Sequence, residues 1–467
     1  MLKDEIAFAT VEELAPELRS GRLSAIDLTR HFLDRIERLN GRFNAFEKVA
    51  EGIAMDQAAR AQSELRMNRW KGPLHGIPYA AKDLFDTAGL ATAWGTRFLR
   101  DRVPTTNATV IDRLEQAGAV LLGKSAMVEF AGCLGYHEAA ASASGPGRNP
   151  WDAQRWTGGS SSGSGAAVAA GLAPFALGTE TWGSILCPSA FCGLTGMRPT
   201  YGVVSRAGGM VGAYTFDKVG PLTRSVADAR TVLNAIAGPD PRDPSTARDK
   251  VRLDKGAGRP VRSLRVALVP LEGVKGGEPE VRAAFDEAVR TFRDAGVTFE
   301  VVALPEVPAS EVSGLLITVE ALATFETFLD DGRVTQLHDT MAPHQRAIAE
   351  PITGADTIKA IRVRESIQRT MRDFFERYDV IVSPNFLSVA PLVSQDLNEA
   401  LAYPDPLGAL SAACGLPGLA LPIGPATHGM PASLQLVGAP FDEATLLDLG
   451  ELFQSRTTHH RRHPDLP

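Results

Sequence analysis

Two serines and one lysine carry the chemistry open to this sequence. Ser160 lies in the run Gly158, Gly159, Ser160, Ser161, Ser162, Gly163, Ser164, and Ser184 closes the run Gly178, Thr179, Glu180, Thr181, Trp182, Gly183, Ser184. Lys82 stands well upstream, in GIPYAAKDLFDTAG. Glycine-rich loops are costly to order, and they belong where backbone amides must come close to a reacting atom or to another stretch of backbone. A serine hydroxyl is a poor nucleophile until a neighbour takes its proton. A lysine can do so only when neutral, and at a reference pKa near 10.4 roughly one molecule in a few thousand is neutral at pH 7. Desolvation favours the neutral form, and Ala80, Ala81, Leu84 and Phe85 flank Lys82 in sequence. The set fits a hydrolase that activates serine without histidine.

The elements that must hold these residues read as α/β. Residues 10–66 read as a helical arm: Thr10 and Glu13 make a capping box, and Ile26, Leu28, Phe32, Ile36 and Leu39 recur near one face. From residue 74 the pattern alternates, with strands expected at 76–81, 119–122 and 194–197, and helices at 108–117 and from Ser225 to Gly238. Strand-like runs resume at 264–269, 298–302 and 380–383, so one sheet is expected to collect them all. The Pro-, Gly- and charge-rich stretch 239–262 then reads as a surface loop rather than a linker. The tail RTTHHRRHPDLP, with His459, His460 and His463, reads as a solvated terminus rather than a metal site.

Composition narrows the function. Hydrophobic content of 44% and charged content of 22% match an ordinary globular protein. A net charge of −7, from 48 basic and 55 acidic residues, leaves no footprint for a polyanion, so no nucleic-acid partner is expected. Cys133, Cys187, Cys192 and Cys414 are too scattered for a disulfide framework or a Cys-x-x-Cys metal site, which favours a reducing, cytoplasmic setting. No stretch matches a membrane span of about 18 apolar residues, and the start MLKDEIAFAT does not read as a secretion signal.

Two motifs mislead. Gly118–Ser125, GAVLLGKS, fits the pattern of a phosphate-binding loop, but its four middle residues read as an apolar strand and a helix precedes it. Gly159, Ser161 and Gly163 fit the nucleophile elbow G-x-S-x-G, but RNPWDAQRWTGG is poor strand material, and nothing singles out a partner among nine histidines.

Over residues 70–240, and again over 380–445, the chain resembles the amidase signature family. GIPYAAKDLFDTAG is similar to the family's lysine motif, GGSSSGSGAAVAAG to its serine-rich motif and GTETWGSILCPSAFCGLTGMRPTYG to its nucleophile motif, in the same order. The resemblance implies a large mixed β-sheet flanked by helices on both faces. It makes Ser184 the nucleophile, Ser160 the bridging serine and Lys82 the base, with the amides of Thr181, Trp182, Gly183 and Ser184 as an oxyanion hole. It implies no metal or organic cofactor, and a monomer or homodimer acting on a small amide or carbamate. It also leaves open the glutaminase subunit of a tRNA amidotransferase, and a non-catalytic binding relative.

The chain departs from the family where Glu180 and Trp182 replace an aspartate and a glycine. Trp182 is expected to keep ordinary backbone angles and to wall the site. With Met127, Phe130, Tyr136, Cys187, Phe191 and Phe216 it marks an expected apolar pocket, which favours hydrophobic or aryl amides, with carbamates and esters also open. Residues 305–375 match the family least and are expected to form a cap.

Overall fold

The strands of this chain assemble into one mixed sheet, and a parallel group of strands toward one edge of it leads to the glycine-rich loops. The computed structural model describes residues 3–272, 274, 277–401 and 405–466. Its strands are β1 Phe46–Val49, β2 Pro78–Lys82, β3 Val120–Ser125, β4 Phe175–Glu180, β5 Thr195–Arg198, β6 Lys218–Thr223, β7 Val266–Leu268, β8 Phe299–Val301, β9 Val380–Pro384, β10 Gly418–Pro425 and β11 Pro431–Gly438. Their order across the sheet is β1-β3-β2-β4-β6-β5-β10-β11-β9-β7-β8, with helices packed on both faces. Strands β2, β3 and β4 run parallel and are buried along their whole length. Such strands need apolar or small residues on both faces, as PYAAK and FALGTE supply.

Parallel pairing fixes where the chemistry lies. Lys82 ends β2 and Glu180 ends β4, so both open on the same edge of the sheet, where ligands gather in open α/β sheets. Strands on both sides of 239–262 enter this sheet. The stretch is pinned rather than free, with Asp243 beside the Arg206 guanidinium at 3.3 Å and Asp240 accepting from Ser205 at 2.6 Å.

The capping box at Thr10 forms as the sequence predicts, with Glu13 N–H donating to Thr10 Oγ1 at 3.2 Å and Thr10 N–H to Glu13 Oε2 at 2.9 Å. Leu28, Phe32, Ile36 and Leu39 are buried along helix Ala25–Phe43. The expected all-helical arm is broken by β1, an edge strand of four residues paired antiparallel to β3. Four residues are too few to show a period, so the strand was invisible until its partner was in place. In the C-terminal stretch residues 461–463 are exposed, yet two of its histidine rings meet aromatic neighbours. The His463 ring stacks on Phe8 at 3.9 Å, and His459 faces Phe453, because aromatic faces there outweigh the local polarity. Among the described residues no cluster suited to a metal occurs, and no helix is long and apolar enough to cross a membrane.

The segment expected as a cap carries helices Ala309–Thr324, Glu326–Asp330, Gln345–Ala349 and Gly354–Arg377. Phe325 and Phe328 pack on Phe130 at 4.3 and 5.2 Å between ring centres. The Glu129 carboxylate accepts from the amides of His338, at 2.8 and 3.0 Å, and of Asp339.

Candidate active site

Lys82 is wholly buried. Its Nζ lies 2.7 Å from Ser160 Oγ and 2.9 Å from Thr179 Oγ1. Burial pulls its pKa from 10.5 down to about 7, although Asp217 and Glu180 pull the other way. About half the molecules then hold a neutral amine at pH 7. Asp83 does not claim it: one oxygen of that carboxylate accepts from the Ala93 amide at 3.0 Å, and the charge facing it is Lys124.

Ser160 stands two residues before helix Ser162–Ala169, and Ser184 two before helix Leu186–Cys192. Ser161 ties the two loops together by donating to the Ser184 carbonyl at 2.6 Å, so the serine of the elbow-like pattern is a bolt. A Cβ on Gly163 would lie 2.3 Å from the Ala45 carbonyl and 2.4 Å from the Ala126 amide. Glycine there lets the serine-rich turn press against the end of β3.

The turn 181–184 is held from outside. Glu180 Oε2 accepts from the Ile185 and Leu186 amides at 2.8 and 3.0 Å, and Oε1 from Arg198 at 2.6 Å. Thr181 Oγ1 donates to Asp217, whose other oxygen accepts from the Gly212 amide at 2.7 Å. Lys218 Nζ lies 3.3 Å from the Thr181 carbonyl. Among the described residues, no protein group accepts from the amides of Thr181, Trp182, Gly183 or Ser184. Residues 181–183 are half-buried, and backbone N–H groups left free beside a serine are donors of the kind that can receive an oxyanion.

Trp182 avoids the left-handed backbone region, which falls instead to Gly183 at φ 85°. A Cβ on Gly183 would meet nothing within 4 Å, so the turn opens there. The indole turns away to Gly408, where a Cβ would lie 2.6 Å from Nε1.

The expected pocket residues divide. Met127, Phe130, Phe191 and Phe216 are 0–1% exposed, with Phe191 against Phe386 and Phe216 under the Arg364 guanidinium. Tyr136 is half-buried, and its hydroxyl lies 2.7 Å from where Gly159 would carry a Cβ. Cys187 packs beside Gly158. Tyr136 and Trp182 therefore keep some exposure beside the two loops, and the other five are buried.

Sequence reading assigned no role to Thr179, Arg198, Asp217 or Lys218, and weighed Ser161 only as the serine of a rejected nucleophile elbow. The one available signal was polarity: Glu180, Arg198, Asp217 and Lys218 are charged residues in stretches otherwise small or apolar.

Known proteins share this fold. A family model described as amidase matches residues 27–447. The chain belongs to the amidase signature family. This amidase is 37% identical, over 99% of both chains, to a glutamyl-tRNA(Gln) amidotransferase subunit from Moorella thermoacetica. It resembles the solved peptide amidase of Stenotrophomonas maltophilia at 30% identity and a TM-score of 0.84, covering 98% of each chain. It also resembles the corresponding glutamyl-tRNA(Gln) amidotransferase subunit of Thermotoga maritima at 27% identity and a TM-score of 0.79, covering 98% of this chain and 97% of that one.

Proposed function

We propose that this amidase cleaves the C–N bond of a carboxamide through an acyl-enzyme on Ser184, with Ser160 as the relay and Lys82 as the base. The observation that carries the reading is a wholly buried amine 2.7 Å from the Ser160 hydroxyl. Neutral Lys82 draws the Ser160 proton as Ser160 takes that of Ser184, which attacks the carbonyl carbon. The amides of residues 181–184 receive the oxyanion, where one such donor is typically worth about 3–4 kcal/mol. Ser160 returns the proton to the leaving nitrogen, and water then releases the acid by the reverse relay.

For the substrate we infer glutamine, with this chain as the glutaminase part of an amidotransferase that passes the ammonia to a partner. Likeness to the Moorella thermoacetica protein along nearly the full length of both chains supports this. The acidic net charge that argued against a nucleic-acid partner concerns this chain alone; in an assembly the RNA would rest on another subunit. A second reading, a free-standing amidase for hydrophobic or aryl amides, draws on the Trp182 indole and Tyr136 beside the two loops and on the likeness to the peptide amidase. Hydrolysis assays with glutamine, aryl amides, carbamates and esters, with Ser184→Ala as control, test both, alongside a search for copurifying subunits. Retention of most activity by Ser184→Ala would overturn the mechanism. Aryl-amide turnover without glutaminase activity or a copurifying subunit would select the second reading.

A further inference from the structure

Lys218 has no part in the relay, yet it is 1% exposed. Its ammonium is buried for one protein hydrogen bond among the described residues, 3.3 Å to the Thr181 carbonyl. Taking a charge out of water costs more than one long hydrogen bond to a neutral carbonyl returns. An apolar side chain of similar length would fill the space without that cost. The charges around it are mixed: Glu180 and Asp217 attract it, while Arg198 and Arg364 repel it. Burial leads these influences in drawing its pKa down to about 7.

The carbonyl it touches belongs to the same peptide unit as the Trp182 amide. The only cis peptide among the described residues is Gly159–Ser160, so the 181–182 unit is trans, with C=O and N–H pointing in opposite directions. A donor on the oxygen enlarges the dipole of that unit and strengthens its N–H as a donor on the far side. Asp217, the residue before Lys218, holds the Thr181 hydroxyl and is itself fixed by the Gly212 and Ala213 amides. The first two residues leading into β6 thus grip Thr181 by both its side chain and its carbonyl.

We propose that Lys218 is a positioning residue that orients and polarises the Thr181–Trp182 peptide, and so sets the strength of the oxyanion donors facing Ser184. The inference rests on the acyl-enzyme reading above and deepens it. It names a second buried lysine that acts through backbone instead of through proton transfer.

The test uses Lys218→Met and Lys218→Gln in the full chain. The readouts are the rate at which a fluorophosphonate probe labels Ser184, kcat and KM on the amide that the wild type turns over, and the thermal midpoint. In Lys218→Met, labelling and kcat should fall about tenfold with KM unchanged, because the contact matters only where negative charge develops. Its thermal midpoint should hold or rise, since a buried charge has been exchanged for apolar volume. Lys218→Gln, which keeps a neutral donor, should recover part of the rate. Labelling of Lys218→Met at the wild-type rate overturns the inference, as does slow labelling in both variants accompanied by a lower thermal midpoint. Wild-type protein that the probe does not label at Ser184 brings down the acyl-enzyme reading and this inference with it.

Discussion

Arg198 and Glu180 form a buried ion pair, Nη1 to Oε1 at 2.6 Å, with each side chain no more than 1% exposed. Burial pushes the Glu180 carboxyl up, but Arg198 and Lys218 outweigh it and hold the group below the usual carboxylate range. Its second oxygen fastens the Ile185 and Leu186 amides just after Ser184, so the pair acts as the anchor of the nucleophile turn. Removing one partner of a buried pair costs about 3–5 kcal/mol. Glu180→Ala should therefore lose about that much in urea denaturation. Glu180→Gln, which places an N–H where an acceptor is needed, should lower kcat about a hundredfold with a smaller loss of stability.

With Lys82 as the proposed base, its pKa near 7 predicts the acid limb of the pH profile. Only the neutral amine accepts a proton, so kcat/KM should fall about tenfold per pH unit below about 7 and level off above it. Lys82→Met should lower kcat at least about a thousandfold, within the range of lost general-base catalysis. The stability sign follows from the same shift: between about 7 and 10.5 the unfolded chain holds a proton that the folded one does not, so wild-type stability rises with pH across that window. Lys82→Met should lack this contribution, which denaturation curves at several pH values would reveal.

Trp182 needs no left-handed backbone, and its indole is seated against Gly408. Trp182→Gly should open that space and shift preference towards bulkier amides, while kcat on the original substrate stays within about tenfold. Added backbone freedom should cost about 0.5–1 kcal/mol. A folded but wholly inactive variant would contradict this placement of the indole.

The hold of Glu129 on the His338 and Asp339 amides joins the segment after β3 to residues 326–349. Glu129→Ala should raise amide exchange in 326–349 and increase KM severalfold with a smaller change in kcat, as expected of a cap loosened over the site. Unchanged exchange there would separate this contact from any cap role.

Two glycines in the motifs should respond differently to alanine. In Gly163→Ala the new Cβ would overlap backbone at Ala45 and Ala126, and the variant should lose several kcal/mol or fail to accumulate, since overpacking typically costs about 1–3 kcal/mol even where side chains can move. Gly183→Ala meets no neighbour but sits at φ 85°, a strain of about 1–3 kcal/mol. It should fold, with circular dichroism near wild type and reduced kcat.

The family and the class of fold could be read from the sequence. Lys82, Ser160 and Ser184 were singled out by the resemblance of their motifs to the amidase signature family, and the fold sets Lys82 Nζ 2.7 Å from Ser160 Oγ. The α/β alternation was legible at β2 and β3, where short, mostly apolar runs flank a periodic helix, whereas β4 was not expected, because FALGTE runs into the glycine-rich stretch. Only the tertiary structure decided which polar groups brace the site. Arg198 reaches Glu180, and Lys218 reaches Thr181, across strands that no local pattern pairs. Likewise the hydrophobicity of Phe130 and Phe216 says that each leaves water without saying which neighbour covers it, and here Phe325 and Arg364 do so. Local sequence fixes the chemistry of each side chain and its backbone preferences, whereas burial and pairing belong to the assembled sheet.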